Sequence, residues 1–310
     1  MRSGPGPCAR RRGDRPGPQG RRRGRPGAVP VNELPFEVSG EGEPVVLLPG
    51  FPFGGHAFRQ LAPLLATRFR VLTADLSGVE GDGSRAQAAA VRGRLRDLGI
   101  ERPALVAHGS GGRVAQVLAF GDGMDVDTVV LLGSVGPTDA PLLPETAEEA
   151  LLRAHVEPLA DVDVDRYLER WRRDPAAYAR GRAVIEAGDD VTGLEDAMAA
   201  WEQPVFMLHG DEDRIVDPGI AERLSAAIPA STLGFVPESG HLLLDDAFDT
   251  IGVMILEYLR ARYLRAPHDH GGITTLQLER RPGWVDRLPG EADDADGSPA
   301  PSEQEVGPNA

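Results

Sequence analysis

The chain has 310 residues, enough for one large domain with its own hydrophobic core or for two small ones. Its formal net charge is −15, and all 33 basic residues are arginine. Residues 1–27 carry nine arginines against the single acid Asp14, so the rest of the chain is more acidic than the total suggests. Such a body disfavours nucleic acid and anionic membranes as partners. No apolar run approaches the ~20 residues that a membrane span needs.

Both ends of the sequence lack the composition of a packed domain. Residues 1–30 are dominated by arginine, glycine and proline, and residues 266–310 are mostly polar and acidic, so we expect both segments to be disordered tails. The N-terminal tail lacks the apolar region of a secretory signal. The motif "HDHGG" in the C-terminal tail offers three possible metal ligands, but no second cluster accompanies it, and we expect no metal. A single cysteine, Cys8, excludes an internal disulfide framework and fits the cytoplasmic location that we expect.

Between the tails, short apolar runs alternate with segments of helical periodicity. The predicted strands are 44–50, 70–75, 103–108, 127–134, 203–210 and 231–236. The predicted helices are 56–69, 85–98, 111–120 and 248–264. This alternation predicts an α/β fold with a mostly parallel central sheet and helices on both of its faces.

The segment 137–200 interrupts the alternation, because it contains helical patterns with no strand between them. A helical block inserted between two strands is a natural lid over the strand ends. We therefore expect a core formed by residues 31–136 and 201–265, with residues 137–200 as a helical cap.

Four polar segments follow predicted strands: "LLPGFPFGG", "VAHGSGG", "MLHGDEDRIV" and "PESGHLLL". In open parallel sheets, sites form at the carboxyl ends of the strands. Together the four segments resemble the α/β-hydrolase family over about residues 33–264, with the helical block as the family's cap domain. The resemblance implies a small-molecule substrate and no cofactor, and it predicts no oligomeric state. His108 and His209, at strand ends, are expected to be structural and to orient neighbouring loops.

The resemblance also implies roles for individual residues. Asp213 matches the family's acid and His241 its catalytic base, and the order nucleophile, acid, histidine agrees with the family. Their separation of 28 positions leaves room for one helix and one strand. The turn at Gly50 and Phe51 resembles the oxyanion hole, where the Phe51 N–H would face developing negative charge. The N–H of Ser110 would be the second donor.

The segment "VAHGSGG" departs from the family pattern. A nucleophile elbow has small residues two positions before and after the nucleophile, because the tight turn brings those positions together. With Gly109 in the nucleophile position, the flanking residues are Ala107 and Gly111, and both are small. With Ser110 there, the imidazole of His108 would be crowded. We therefore place Gly109 in the nucleophile position, with Ser110 as an offset alternative.

Three functional hypotheses follow. The first is a hydrolase of a small ester, lactone or amide that uses an Asp213–His241 dyad and a backbone oxyanion hole, with water or an offset Ser110 as nucleophile. The second is a cofactor-free lyase or proton-transfer enzyme that uses His241 alone. The third is a catalytically lapsed, ligand-binding protein of the same fold. The absent side chain at Gly109 favours the lyase and the lapsed protein. The retained dyad favours the hydrolase and the lyase.

The composition of the tails yields a direct prediction. A truncated chain spanning residues 28–269 should fold with an unchanged melting temperature, because neither tail can bury enough apolar surface to dock. Thermal unfolding of the full and truncated chains, followed by circular dichroism, measures this. A large decrease in melting temperature would show that one tail packs on the core.

Overall fold

The computed structural model describes Met1 and residues 34–79, 83–188, 191 and 193–263, so both expected tails, Met1 apart, lie outside the described residues. Within them, the strands are β1 (Phe36–Ser39), β2 (Pro44–Leu48), β3 (Arg70–Ala74), β4 (Ala104–His108), β5 (Thr128–Leu132), β6 (Val205–Gly210) and β7 (Ser231–Val236). The α-helices are α1 (Leu61–Ala66), α2 (Gly83–Asp97), α3 (Gly111–Gln116), α4 (Ala147–Ala154), α5 (Asp161–Arg173), α6 (Pro175–Ala187), α7 (Leu194–Ala199), α8 (Pro218–Ala227), α9 (Leu243–Asp246) and α10 (Phe248–Tyr263). None of the described helices is long and apolar enough to cross a membrane.

The seven strands form one sheet in the order β1-β3-β2-β4-β5-β6-β7. Strand β1 runs antiparallel to β3, and every other neighbouring pair is parallel. This confirms the prediction of a mostly parallel α/β fold. The order also places β2 and β4 side by side at the centre, so the loops that follow these two strands emerge next to each other.

Alternation along the strands divides the core into two layers. In β2, Val46 and Leu48 belong to the apolar cluster beneath α2 and α3, whereas Val45 and Leu47 belong to the cluster beneath α1 and α10. All four side chains are fully buried. Because both faces of a parallel sheet are covered, its strands are continuous apolar runs rather than alternating ones, which explains why "VVLL" was detectable in the sequence.

The sequence analysis missed one edge strand and gave two helices the wrong bounds. The edge strand β1 escaped prediction because its sequence "FEVS" is short and mostly exposed, so it has no strong apolar pattern. The predicted helix 56–69 is instead a 3-10 helix, Gly54–Phe58, followed by the separate helix α1. Pro63 then falls in the first turn of α1, where a missing N–H costs nothing. The predicted helix 111–120 is α-helical only to Gln116, where α3 ends, and residues Val117–Gly121 form a π-helix.

Helices α4 to α7 lie between β5 and β6 in the chain. Helices α4, α5 and α6 share an apolar cluster with the loop after β2, whereas Leu194 and Met198 of α7 belong to the cluster beneath α2 and α3. The Phe51 ring lies 5.2 Å from the Trp171 ring and 5.3 Å from that of Tyr178, measured between centroids. A Cβ atom at Gly181 of α6 would come within 2.4 Å of the Phe51 ring, so glycine is required there. The helical block is thus packed closely over the loop that follows β2.

A backbone contact between β2 and the start of α3 sets how closely the two central loops approach. A Cβ atom at Gly111 would lie 2.3 Å from the carbonyl oxygen of Leu48. We predict that Gly111→Ala lowers the free energy of unfolding by at least about 2 kcal/mol, because neither backbone can yield without moving a strand. Chemical denaturation measures the change. Gly55→Ala is the matched control, since its Cβ would make only an ordinary 3.4 Å contact, and equal losses in the two variants would contradict the explanation.

Candidate active site

The loops after β2, β4, β6 and β7 meet at one edge of the sheet. They carry Phe51, Gly109, Asp213 and His241 respectively, so the structure brings together all four segments that the sequence singled out. The side chains of Asp213 and His241 are almost completely buried. The site therefore lies at the carboxyl ends of parallel strands, where open α/β sheets place their ligands.

Asp213 and His241 form a direct hydrogen bond, 2.8 Å between Nδ1 of the imidazole and Oδ2 of the carboxylate. The second carboxylate oxygen accepts the N–H groups of Ile215 and Val216, each at 2.8 Å. Burial acts to raise the pKa of Asp213, but His241 and these hydrogen bonds outweigh burial and hold the pKa below its usual value. An ionised carboxylate can only accept, so Nδ1 carries a proton, and Nε2 is the ring nitrogen that faces away from Asp213.

Gly109 is at the apex of the turn between β4 and α3, with φ of +54°. A Cβ atom built there would lie 2.8 Å from Nε2 of His241. A side chain at position 109 would thus point at the free nitrogen of the base. Gly50 faces this turn from the neighbouring loop, and its own Cβ would come within 2.5 Å of the His108 carbonyl oxygen. The two loops are therefore in backbone contact at the site.

Ser110 is oriented away from that direction. Its Oγ accepts the N–H of Phe51 at 2.9 Å, and the residue is 9% exposed, on the wall of a cavity. Among the residues that the structure describes, neither the hydroxyl hydrogen nor the N–H of Ser110 has an acceptor. The hydroxyl therefore sits against the donor that the sequence analysis assigned to the oxyanion hole, and it can still donate into the cavity.

His108 and His209 support the two loops of the dyad. Nε2 of His108 donates to the carbonyl oxygen of His241 at 2.9 Å. Nε2 of His209 donates to the carbonyl oxygen of Val216, also at 2.9 Å. Burial, reinforced by the nearby imidazole of His241, lowers the pKa of His108 to about 3. Burial also lowers the pKa of His209. Both rings are hence neutral, and their contacts agree with the structural role predicted from the sequence.

A cavity of about 200 Å³ opens beside Ser110 and the loop after β2. Residues 49–56, Ser110, Tyr167, Trp171 and Ile185 contribute to its wall, so both the sheet loops and the helical block enclose it. The volume lies below the range of ~300–1,000 Å³ that is typical of pockets for drug-sized ligands, and it suits a small molecule. Among residues 34–79, 83–188, 191 and 193–263, no group of three or more potential metal ligands converges.

The sequence analysis missed a polar network between the helical block and the sheet loops. Arg59 makes an ion pair with Asp163 of α5 at 2.7 Å and one with Asp245 of α9 at 2.5 Å. The Tyr167 hydroxyl donates to Asp245 at 2.8 Å, and His56 contacts Asp163 at 3.0 Å. These residues follow no motif and are far apart in sequence. Only their partners in the folded chain distinguish them from ordinary surface charges.

The buried, neutral His108 makes stability depend on pH. Its folded pKa is below the unfolded value of about 6.5, so the unfolded chain takes up a proton first as the pH falls, and stability is lost between pH 6.5 and about 3. We predict that the free energy of unfolding decreases between pH 7 and pH 5 by up to about 2 kcal/mol more in the wild type than in His108→Gln. Urea titrations at both pH values test this. Parallel pH dependence in the two proteins would contradict it.

Comparisons with known proteins identify the family of the chain. The sequence profile described as "Alpha/beta hydrolase family" matches residues 45–251. The Magnesium-chelatase 30 kDa subunit of Rhodobacter capsulatus is 26% identical over 257 residues, 71% of this chain and 87% of that protein. A 2-hydroxy-6-oxononadienedioate/2-hydroxy-6-oxononatrienedioate hydrolase of Paraburkholderia xenovorans is 24% identical over 262 residues, 73% and 90% of the two chains.

Among solved structures, an alpha/beta hydrolase fold protein from Burkholderia ambifaria superposes with a TM-score of 0.61 at 28% identity, over 72% of this chain and 93% of that chain. A family profile that matches more than half of the chain, on the fold that the family adopts, establishes that the protein belongs to the α/β-hydrolase family.

Proposed function

We propose that the protein is a hydrolase of a small ester, lactone or amide in which His241 activates a water molecule directly. One observation carries this proposal: the side-chain direction at position 109 points at Nε2 of His241, and glycine leaves that position without a nucleophile. Ser110, the offset alternative, bonds to the Phe51 N–H instead of to the base. The dyad with Asp213 is nevertheless intact and provides a general base.

The proposed reaction has two steps. A water molecule beside Gly109 gives a proton to Nε2 of His241 as its oxygen bonds to the carbonyl carbon of the substrate, and the carbonyl oxygen becomes an oxyanion. Asp213 stabilises the resulting imidazolium, since the ionised carboxylate is already hydrogen-bonded to Nδ1. The intermediate then collapses, and the bond to the leaving group breaks as that group takes the proton back from His241. Nothing becomes covalently attached to the protein.

Ser110 and Phe51 form the oxyanion side of the proposed site. Ser110 provides its N–H and its hydroxyl hydrogen, and the Phe51 N–H polarises that hydroxyl by donating to Oγ. Fixed donors of this kind need no reorganisation as negative charge develops. We expect Ser110→Ala to retain activity within about tenfold. Without the serine hydroxyl, the Phe51 N–H is free to donate to the oxyanion directly.

The helical block supports the proposal of a small substrate. We propose that residues 137–200 act as a cap, since Tyr167 and Trp171 of α5 line the same cavity as Ser110. Excluding bulk water strengthens each interaction with the developing charge. The name of the Paraburkholderia relative describes hydrolysis of a small carbonyl compound, which favours the same reaction class here. The single cysteine is consistent with action in a reducing cytoplasm.

A cofactor-free lyase or proton-transfer reaction is the second candidate, favoured by the same observation of a base without a nucleophile. His241 would then remove a proton from the substrate itself. Turnover in H₂¹⁸O separates the two candidates. A hydrolase incorporates one solvent oxygen into its product, and a lyase incorporates none. Absence of turnover on a broad panel of activated esters and lactones, together with retained ligand binding, would favour a lapsed, ligand-binding protein.

An organophosphonate followed by mass spectrometry tests the missing nucleophile. We predict no adduct on the wild type and an adduct on Gly109→Ser, because the introduced hydroxyl would face His241 Nε2. The variant should lose about 1–3 kcal/mol of stability, since the positive φ of residue 109 is strained for serine.

Two further results bear on the same prediction. His241→Ala should abolish turnover of the wild type and adduct formation on Gly109→Ser, because water and serine both need the base. An adduct on Ser110 of the wild type would overturn the proposal and identify an ordinary serine hydrolase with an offset elbow.

A further inference from the structure

We propose that Asp246 is a positioning residue that joins the loop of His241 to the helical block, so that seating of the block on the sheet adds to the contacts that hold the base in place. The kinetic consequence rests on the function proposed above. The positional consequence does not, because it can be measured without turnover.

Asp246 bridges two separate parts of the chain through its two carboxylate oxygens. Oδ2 accepts the N–H of Gly240, next to the base, at 2.8 Å. Oδ1 accepts the N–H groups of Val156 and Glu157, both at 3.1 Å, in the segment that connects α4 to α5. Hydrogen bonds from backbone N–H groups to a carboxylate are stronger than those between neutral groups. One side chain thus fastens the histidine loop to the helical block.

The same loop also touches the block through its backbone. The Leu242 N–H donates to the carbonyl oxygen of Ala154, the last residue of α4, at 2.6 Å. A Cβ atom at Gly240 would lie 2.7 Å from that same oxygen, so no larger residue fits there. Residues 240 and 242 are the two neighbours of His241, and both are therefore anchored to the block and not only to the sheet.

A second carboxylate in α9 points to the same conclusion. Asp245 accepts the Tyr167 hydroxyl of α5 at 2.8 Å and pairs with Arg59 at 2.5 Å. Helix α9 thus directs two consecutive acids at the helical block, Asp245 to α5 and Asp246 to the start of the α4–α5 connection. Helix α9 thus couples the position of the helical block to the position of the loop that carries His241, which directly precedes this helix.

The coupling has a consequence for catalysis. Nε2 of His241 faces position 109, which belongs to the sheet, whereas the backbone on both sides of His241 is held by the block. A shift of the block to admit a substrate would loosen the base, and its return would restore the reacting geometry. A displacement of about 1 Å in such a group can reduce the rate by about 100-fold.

Asp246→Asn is the test, with Asp249→Asn as the matched control. The asparagine keeps the shape but cannot accept on both sides, because one of its terminal atoms is an NH₂ group. Asp249 undergoes the same change of charge three residues away, at an exposed position in the first turn of α10. We expect Asp246→Asn to lower kcat by about 10- to 100-fold with KM within about twofold, and the control to behave as the wild type.

The second measurement needs no activity. The Nδ1 proton that His241 shares with Asp213 should give a downfield proton NMR signal in the wild type and in Asp249→Asn. We expect exchange with solvent to broaden it in Asp246→Asn. Should that variant fail to fold by circular dichroism, Asp246→Glu, which retains the charge but displaces the carboxylate, is expected to show the same broadening in weaker form.

The outcomes are distinguishable. An unchanged signal in a folded Asp246 variant would overturn the positioning role, whatever happens to the rate. A broadened signal in a protein that turns over no substrate would support the positioning role and contradict the proposed function. A loss of rate together with a raised KM and an unchanged signal would assign Asp246 to the stability of the block alone, and would also overturn the proposal.

Discussion

Backbone contact between the loops that follow β2 and β4 is the constraint on which the site depends. Gly50 lies against the turn at Gly109, and Gly111 lies against the carbonyl of Leu48. There is no space for a Cβ atom at Gly50 or at Gly111. This contact aligns the N–H of Phe51 with Ser110, and it directs position 109 at the base. The arrangement of the site is thus set by which residues lack side chains as much as by those that have them.

The second requirement is that buried polar groups be hydrogen-bonded. Asp213 is removed from water, and it remains charged because a ring nitrogen and two backbone N–H groups surround it. Two further imidazoles, His108 and His209, are kept neutral by burial and are used as donors to backbone carbonyls. Only His241 among the three has a ring nitrogen directed at the reacting position. Three histidines of similar burial thus differ in role because of what each ring contacts.

The helical block contributes to the site in two ways. Its aromatic residues, Trp171 and Tyr178, pack on Phe51, and Trp171 also forms part of the cavity wall. Its connecting segment receives the carboxylate of Asp246. The first contact shapes the space beside Phe51 and Ser110, and the second bears on the loop of His241. One insertion in the chain thus contacts both the wall of the cavity and the loop of His241.

The sequence by itself determined the parallel α/β fold, because a sheet covered on both faces requires continuous apolar strands, and it located the dyad of Asp213 and His241 by the order of loops after those strands. The steric demand for small residues acts over neighbouring positions, so the sequence also predicts a register for the turn at Gly109, which stays a prediction. Only the tertiary structure decided where the Ser110 hydroxyl bonds and that Asp246 reaches the connection between α4 and α5. Those contacts join residues 59 and 90 positions apart, and no local pattern of size or polarity encodes them.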